Sequence, residues 1–422
     1  MGLLLYNAGI GFVRAAYWLA SLVHPKAKAF REGRIQQTDR LQQTFPLREN
    51  HPLAWFHCSS LGEFEQGRPV MEALKSSHPN VKILLTFFSP SGYEVRKNYT
   101  GADYIFYLPW DTASNARWFV TEVRPAFAVF VKYEFWFYYS RALRTNKIPL
   151  ISISAIFRPT HVYFKPQGFI FRAILRNFTY FFVQNNESLK LLKSIGITAA
   201  SVAGDTRFDR VNEIVTQSGE NSVARGFKSG HRVMVIGSAW PDDMAVLLPF
   251  MNAQRGSLRF IVAPHEISES FMQAIEGGFN GKSVRYTKTS EQLALDADLL
   301  IVDTIGLLAQ LYRYGEYAFV GGGYKEGLHN TLEAACYGIP VFFGSNAPYD
   351  KYQEAVDLVA KGGAFAVANT PELTAAYEQL TVDKEKYQHA VAVTRAYVAS
   401  NLGATRVIMD YLNKILQSWK GV

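Results

Sequence analysis

A run of three glycines in the second half of the chain lies in a segment suited to binding a phosphate. The segment 319–344 reads FVGGGYKEGLHNTLEAACYGIPVFFG, in which a strand is predicted to end at Val320 and a helix to begin near His329. Glycines such as Gly322 and Gly323 let the backbone approach a ligand closely. The N-terminus of the helix would offer free N–H groups and a positive dipole to a phosphate.

Two polar residues on this predicted helix would extend the site towards a nucleotide. Asn330 and Glu333 are three residues apart, so both can face the same ligand. A carboxylate there suits the hydroxyls of a ribose, which donate two hydrogen bonds to it. The spacing leaves open an ordinary strand-to-helix turn in which Asn330 is the N-cap. The chain has no GxxxxGK[ST] phosphate loop, and the glycine segment is no clean GxGxxG motif.

The turn after the first predicted strand holds a candidate catalytic carboxylate. Residues 55–67 read WFHCSSLGEFEQG, which places in this turn Ser59, Ser60, Gly62 and Glu63. A carboxylate at the mouth of a cleft can act as a general base, and we predict that role for Glu63. The alternative is a capping charge at a helix N-terminus.

Three further segments follow predicted strands and contribute candidate binding residues. They are GDTRFD with Arg207, IGSAW with Ser238, and APHE with His265. The pair His265-Glu266 fails the zincin pattern because position 269 is Glu rather than His. No GxSxG motif, CxxC pair or metal-ligand cluster occurs, so the sequence predicts neither a metal nor a cofactor.

The composition indicates a large folded protein with an anionic partner. The 422 residues predict two or three domains, and 48% of them are apolar. Two distant cysteines give no disulfide framework, which is typical of a reducing compartment. Residues 1–210 hold 26 Lys and Arg against 14 Asp and Glu, a net charge of +12, whereas the remainder carries −4. The basic half favours an anionic membrane surface or a nucleic acid.

The first residues favour an association with a membrane. Residues 2–23 read GLLLYNAGIGFVRAAYWLASLV, long enough as a helix to cross a bilayer. A central Arg14 costs about 2.5–3.5 kcal/mol in a bilayer, and the Leu, Ile, Phe and Val residues of the segment each contribute about 0.3–0.6 kcal/mol in favour of insertion. The free energy of inserting the segment is therefore close to zero. Asn7, Arg14 and Ser21 recur on one stripe, which suits a helix in the interface at least as well as a spanning one. The basic residues that follow favour a cytoplasmic body, and the missing basic n-region disfavours a cleaved signal peptide.

Alternating apolar strands and amphipathic helices predict two doubly wound α/β domains in tandem. Ligands of such a pair are expected at the carboxyl ends of the strands, in the cleft between domains. The predicted parts are a membrane-associated helix with its basic flank (1–34), an N-terminal acceptor domain (35–210), a linker (211–230) and a C-terminal nucleotide-sugar domain ending in a long helix (231–422).

Four motifs in order resemble the 3-deoxy-D-manno-octulosonic acid (Kdo) transferase family. Its SVGE turn corresponds to Ser60–Glu63, and its ExExW strand end to Lys132–Trp136, which adds Glu134 as a candidate. Its GNxK[FY]D segment corresponds to Gly204–Asp209, and its VGGS…GGHNxxE segment to Val320–Glu333 with His329. This chain departs from the pattern at Lys132, Arg207 and Leu328, and only part of the PRHPER stretch remains, as APHE.

The resemblance implies an inverting GT-B glycosyltransferase of lipopolysaccharide synthesis. Its donor would be CMP-Kdo and its acceptor a lipid A precursor, at the cytoplasmic face of the bacterial inner membrane. Glu63 would take the proton of the attacking hydroxyl. The helix at His329–Asn330, with Arg207, would stabilise the leaving phosphate, and Asn330 with Glu333 would hold the ribose.

Three other readings of the sequence stay open. Another GT-B glycosyltransferase or a nucleotide-sugar epimerase shares the double α/β layout, although the SLGE turn and the membrane segment argue against an epimerase. A two-lobed solute-binding protein would also close around a ligand, but it would be exported. A nucleic-acid-binding protein is disfavoured because no helix-turn-helix, zinc or RNP pattern occurs.

Overall fold

A computed structural model describes residues 2–45, 51–217 and 219–419. The chain divides into two compact units. Unit 1 comprises Met1–Arg210 with Leu402–Val422, and unit 2 comprises Val211–Asn401. Each unit is built on a parallel sheet covered by helices, as the predicted α/β class requires.

The sheet of unit 1 has seven strands in the order β3-β2-β1-β4-β5-β6-β7. Its strands are β1 (Leu53–Cys58), β2 (Lys82–Phe87), β3 (Tyr104–Tyr107), β4 (Phe127–Val131), β5 (Leu150–Ala155), β6 (Tyr180–Val183) and β7 (Ala200–Val202). Its helices are α1 (Gly2–Ala20), α2 (Pro25–Thr44), α3 (Leu61–Ser77), α4 (Pro90–Arg96), α5 (Ala113–Val123), α6 (Phe137–Thr145), α7 (Phe169–Leu175), α8 (Asn186–Ser194) and the first residues of α9 (Thr206–Gln217).

The sheet of unit 2 also has seven strands, in the order β10-β11-β9-β8-β12-β13-β14. They are β8 (Val233–Ala239), β9 (Arg259–Pro264), β10 (Ser283–Arg285), β11 (Leu299–Ile301), β12 (Tyr317–Val320), β13 (Val341–Gly344) and β14 (Ala364–Val367). The helices are α10 (Ser222–Lys228), α11 (Pro241–Ala253), α12 (Glu269–Gly278), α13 (Glu291–Ala294), α14 (Leu308–Leu311), α15 (Leu332–Ala335), α16 (Gln353–Lys361), α17 (Thr370–Val382) and α18 (Lys384–Ser400).

The strand order of each sheet reverses at one point, which fixes where polar residues gather. In unit 1 the order reverses between β1 and β4, and in unit 2 between β8 and β12. The loops after these two pairs of strands diverge and leave a crevice at the carboxyl edge of the sheet. The predicted motifs at Ser59–Glu63, Lys132–Trp136 and Gly321–Gly323 follow β1, β4 and β12, and Ser238 lies near the end of β8.

The structure differs from two parts of the predicted domain division. Helix α2 runs through the boundary expected at residue 34, because Phe30 and Arg34 are buried on its inner face. Helices α9 and α10 occupy most of the expected linker 211–230, where Ala224 and Phe227 are buried. The buried apolar residues hold these segments in the folded units.

The long C-terminal helix predicted for the second domain is two helices. Helix α18 ends at Ser400, and Gly403, with φ +104°, is the N-cap of α19 (Ala404–Ser418). Helix α19 belongs to unit 1, because Ile408, Met409 and Leu412 complete the apolar layer on one face of its sheet. Asp209 accepts hydrogen bonds from the N–H groups of Gly403 at 2.7 Å and Thr405 at 2.6 Å, which caps this helix.

The predicted membrane segment forms helix α1. Across residues 2–45, 51–217 and 219–419, no helix combines the length and the apolar character that crossing a membrane requires.

Candidate active site

The turn after β1 holds Glu63 in a defined position. Ser60 is the N-cap of α3, with its Oγ 3.2 Å from the N–H of Gly62. Glu63 Oε2 accepts hydrogen bonds from the Ser60 N–H at 3.1 Å and from the Ser60 hydroxyl. These contacts form a capping box, so Glu63 does carry the capping role that we had considered as an alternative.

Capping leaves one oxygen of Glu63 available for chemistry. Within the described part of the chain, Glu63 Oε1 makes no hydrogen bond, and the side chain is half-buried. Ser59 lies in the same turn, and its carbonyl accepts the N–H of Ser89 at 2.7 Å. The turn therefore fixes one carboxylate oxygen through backbone and hydroxyl donors and leaves the other for a ligand.

A second carboxylate, Glu134, lies after β4 in a buried polar cluster. Its Oε2 is 3.1 Å from His57 Nε2 and accepts the indole N–H of Trp136 at 2.8 Å. His57 Nδ1 lies 3.1 Å from the carbonyl oxygen of Thr86 and 2.9 Å from its Oγ1. Because a carbonyl only accepts, the Nδ1–H of His57 donates to Thr86, and Nε2, which faces Glu134, donates to that carboxylate when it too carries a proton.

His57 was not predicted as a site residue. It lies inside the apolar run of β1, where the sequence pattern indicates an ordinary core residue. In the structure it is fully buried. Its functional signal is the contact with Glu134, which comes from a neighbouring strand 77 residues away. The local sequence holds no trace of that contact.

The charges of Glu63 and Glu134 both act on the buried thiol of Cys58. Burial raises the pKa of Cys58 well above its usual value, and the charges of Glu63 and Glu134 raise it further. Both carboxylates therefore act on the same carboxyl end of β1. The structure brings together at this edge Ser59, Ser60, Gly62, Glu63 and Glu134.

Arg207 is paired within unit 1. Its Nε lies 2.9 Å and its Nη2 2.8 Å from Asp205 Oδ2, and Gln66 of α3 donates to both oxygens of Asp205 at 3.1 Å. Burial acts to raise the pKa of Asp205, but the charge and hydrogen bonds of Arg207 outweigh it and lower the pKa. The guanidinium is thereby held beside the helix that carries Glu63.

The glycine turn of unit 2 is shaped by contact with its own sheet. A Cβ on Gly323 would lie 2.1 Å from the carbonyl oxygen of Gly344, and Gly322 has φ +88°. The glycines were predicted to admit a ligand. In the structure they let the turn pack against the ends of neighbouring strands, which places the following residues.

The helix expected near His329 begins at Leu332 and has only four residues. His329 and Asn330 precede it in an irregular turn, so the prediction of a helix N-terminus at these two residues is wrong. Asn330 Oδ1 accepts the N–H of Leu332 at 3.2 Å, which closes the turn and displaces the helix start. Asn330 Nδ2 also donates to Glu333 Oε1 at 3.1 Å, so these two half-buried side chains do lie together.

His329 presents one N–H group from a fixed ring. The indole N–H of Trp240 donates to its Nε2 at 2.9 Å, and the two rings are nearly coplanar, 11° apart. The ring of His265 stacks over both, with centroids 4.3 Å and 4.4 Å away. Burial, with His265 adding, lowers the pKa of His329 to about 4, so the ring is neutral at pH 7 and Nδ1 carries the proton. Within the described residues Nδ1 has no hydrogen-bond partner.

Ser238, at the end of β8, has a strained backbone. Its φ is +53°, and the register of β8 against β9 shifts between Ile236 and Ala239. Non-glycine residues adopt this conformation rarely, and such strain concentrates at functional sites. Ser238, His265, Gly322, Gly323, His329, Asn330 and Glu333 all belong to unit 2.

The carboxyl of Asp243 ties the two turns of unit 2 together. It accepts the N–H groups of Gly322 and Trp240, each at 2.9 Å, and burial raises its pKa to about 6. The folded state thus favours the protonated acid. The resulting stabilisation is complete below the unfolded pKa near 4 and is lost as the pH rises through about 6.

We therefore expect Asp243→Asn to remove a pH dependence. Between pH 4 and pH 7 the free energy of unfolding of the wild type should fall by about 2–3 kcal/mol relative to the variant. Chemical denaturation at both pH values measures this difference. Asp242→Asn, which removes a neighbouring charge that adds to the rise in the pKa of Asp243, is the comparison and should change the pH dependence less than Asp243→Asn does. If the difference in unfolding free energy between the wild type and Asp243→Asn is the same at both pH values, the raised pKa of Asp243 is contradicted.

The chain also shows similarity to proteins of known family. Residues 33–210 match the family described as 3-deoxy-D-manno-octulosonic-acid transferase (kdotransferase). The 3-deoxy-D-manno-octulosonic acid transferase of Aquifex aeolicus is 30% identical over 342 residues, which cover 78% of this chain and 87% of that protein. The chain belongs to the Kdo transferase family.

Other relatives agree with this assignment. The 3-deoxy-D-manno-octulosonic acid transferase of Rickettsia prowazekii is 26% identical, over 70% of this chain and 64% of that protein. Among solved structures, a UDP-GlcNAc 2-epimerase from Neisseria meningitidis has a TM-score of 0.60 at 17% identity, covering 86% of this chain and 99% of that one. MurG of Acinetobacter baumannii has a TM-score of 0.56 at 13% identity, covering 86% and 99%. These structures show the GT-B fold for this Kdo transferase family member.

Proposed function

We propose that this protein transfers Kdo from CMP-Kdo to a lipid A precursor, with inversion at the anomeric carbon. The observation that carries the proposal is Glu63, held through one oxygen at the point where the sheet of unit 1 reverses, in a chain of the Kdo transferase family. The similarity to an epimerase concerns the fold alone and is no argument for an epimerase reaction.

In the proposed reaction, unit 1 supplies the base. A hydroxyl oxygen of the acceptor sugar bonds to the anomeric carbon of Kdo as the bond from that carbon to the CMP phosphate breaks. The hydroxyl proton passes to Glu63 Oε1, and CMP leaves with the electron pair of the broken bond. Ser60 holds Oε2 throughout, so the carboxylate needs no reorientation to accept the proton.

Unit 2 is proposed to bind the donor. The Nδ1–H of His329 donates to the CMP phosphate, and Glu333, positioned by Asn330, accepts from the ribose hydroxyls. Arg207 is proposed to act on the leaving phosphate, and Glu134 on the side of the acceptor. The reaction is proposed to need no metal or cofactor, because neutral donors and the arginine carry the leaving-group charge.

We further propose that the protein works at the cytoplasmic face of the bacterial inner membrane. The lipid acceptor and the charge of +12 in residues 1–210 support this location, since an anionic surface attracts such a chain. Helix α1 is proposed to lie in the interface.

The decisive test is transfer by the purified full-length protein. Incubation with CMP-Kdo and lipid A precursor should give a lipid whose mass has increased by one or more Kdo units. Absence of any such product, while a known Kdo transferase is active in the same mixture, would overturn the proposed function.

A donor test separates the nucleotide specificity from the transfer. CMP at about 100 times its Kd should raise the Tm of unit 2 by roughly 5–10 °C, whereas UDP should not. Glu333→Ala should raise the KM for CMP-Kdo about tenfold with little change in kcat. Glu326→Ala, which removes an exposed carboxylate from the same turn, is the control and should leave KM unchanged. Stabilisation by UDP instead of CMP would favour another nucleotide-sugar enzyme.

A further inference from the structure

Helix α1 is held to the rest of unit 1 by hydrogen bonds. Asn7 Oδ1 accepts the hydroxyl of Tyr138 at 2.6 Å, and the hydroxyl of Tyr6 donates to Asp111. Directly after the end of the helix, Ser21 Oγ accepts from Arg31 of α2 at 3.1 Å. Of the stripe seen in the sequence, Asn7 and Ser21 thus bond to other parts of unit 1, whereas Arg14 is exposed.

The apolar residues of the same segment are exposed. Relative exposure is 73% for Leu4, 75% for Phe12, 58% for Leu19, 63% for Leu22 and 86% for Val23. A surface helix in water buries its apolar stripe and exposes its polar one. Here the apolar side chains are exposed together, and such a surface marks a contact with a membrane or a partner.

A cavity of about 750 Å³ opens between α1, α2 and the loop after β3. Three arginines line it, together with aromatic side chains, and among the described residues no acidic side chain does. The lining includes Arg14, Arg31, Arg34, Trp18, Phe30 and Trp110. Its charge is thus positive, and its walls are largely aromatic.

The deepest arginine is held by aromatic rings. The guanidinium of Arg34 lies 3.7 Å from the ring centroid of Phe30 and 5.4 Å from that of Trp110. Burial lowers its pKa to about 9, so it is still a cation at pH 7. Arg14 is exposed at the rim, and Arg31 is half-buried beside Ser21. Charged groups thus run from the apolar face of α1 down into the cavity.

We propose that this cavity binds the phosphate of an anionic membrane phospholipid, whose acyl chains lie along the exposed apolar face of α1. Arginine suits a phosphate because its donors form a rigid fork. Tryptophan, here Trp18 and Trp110, suits the boundary between headgroups and acyl chains. The proposal rests on the membrane attachment proposed above and adds a discrete lipid site that is separate from the acceptor.

The test measures binding of short-chain phosphatidylglycerol, below its micellar concentration, to the full-length protein by calorimetry. The wild type should bind about one molecule, and Arg14→Gln/Arg31→Gln should weaken binding about thirtyfold. Short-chain phosphatidylcholine should bind weakly, and inorganic phosphate should bind much more weakly than the lipid. The same variant should lose affinity for phosphatidylglycerol vesicles.

The matched control is Lys190→Gln/Lys193→Gln, which removes two exposed positive charges from α8, near the opposite edge of the same sheet. It should change lipid binding less than threefold. An equal loss in this control would show diffuse attraction instead of a site, and equal affinity for inorganic phosphate would show an anion site without lipid.

Activity in detergent distinguishes the lipid site from the acceptor site. Turnover of detergent-solubilised acceptor by Arg14→Gln/Arg31→Gln should stay within twofold of wild type. A thirtyfold rise in the acceptor KM would overturn the proposal, because the cavity would then bind the acceptor's phosphates. Failure of Kdo transfer by the wild type would overturn the proposed function and leave the binding result standing.

Discussion

Glu63→Gln should lower kcat for Kdo transfer by about 10²–10⁴-fold while the protein stays folded. Glutamine cannot accept the proton of the acceptor hydroxyl. Its amide oxygen can still accept the Ser60 N–H that Glu63 now accepts at 3.1 Å, so the capping box of α3 survives. The measurement is the rate of product formation at saturating CMP-Kdo, beside a thermal unfolding curve of the same sample.

Glu65→Gln is the control for this change. Glu65 lies on the same first turns of α3, but its carboxylate pairs with Arg96 at 2.9 Å instead of capping the helix. Its variant should keep kcat within about threefold of wild type, since partly exposed ion pairs contribute little. Near-normal turnover by Glu63→Gln would show that another group takes the proton.

His57→Leu should reduce the free energy of unfolding of unit 1 by about 3–5 kcal/mol. The side chain of Glu134 is only 9% exposed, and it would lose the His57 nitrogen 3.1 Å away. Among the residues that the structure describes, the carboxylate would then keep only the indole N–H of Trp136. The loss corresponds to a decrease in Tm of roughly 6–20 °C, measured by calorimetry.

A double-mutant cycle isolates the pair. His57→Leu/Glu134→Leu should be less destabilised than the sum of the single variants, because no charge is left buried. His78→Leu is the control: it removes a half-buried hydrogen bond of 2.7 Å to Asn413 in the same unit and should cost about 1 kcal/mol. Additive single effects would show that His57 and Glu134 are not coupled.

The core strands could be predicted from the sequence because each is an uninterrupted apolar run. Runs such as Phe127–Val131 and Tyr317–Val320 are buried along their whole length. The strands β7 and β10 could not be predicted in this way. They have three residues each, lie at the edges of their sheets and are not fully buried, so no apolar run marks them.

Only the parts of the candidate site that are formed by residues close together in the sequence could be predicted. Asn330 and Glu333 lie together, as their spacing indicates, although the helix predicted to carry both begins after Asn330. The N–H of Leu332, where α15 begins, donates to Asn330, a local contact that the prediction of a helix near His329 did not include. The contacts of His57 with Glu134 and of Trp240 with His329 join different strands and loops, so only tertiary structure reveals them.

The return of α19 to unit 1 has a consequence for synthesis on the ribosome. Residues Ile408 and Leu412 belong to the core of unit 1, but about 190 residues of unit 2 are translated before them. At about 5–20 residues per second, the nascent first unit waits roughly 10–40 s with one face of its sheet incomplete. Unit 2 is thus inserted within the sequence of unit 1, and the order of emergence from the ribosome is not the order in which the two folds can be finished.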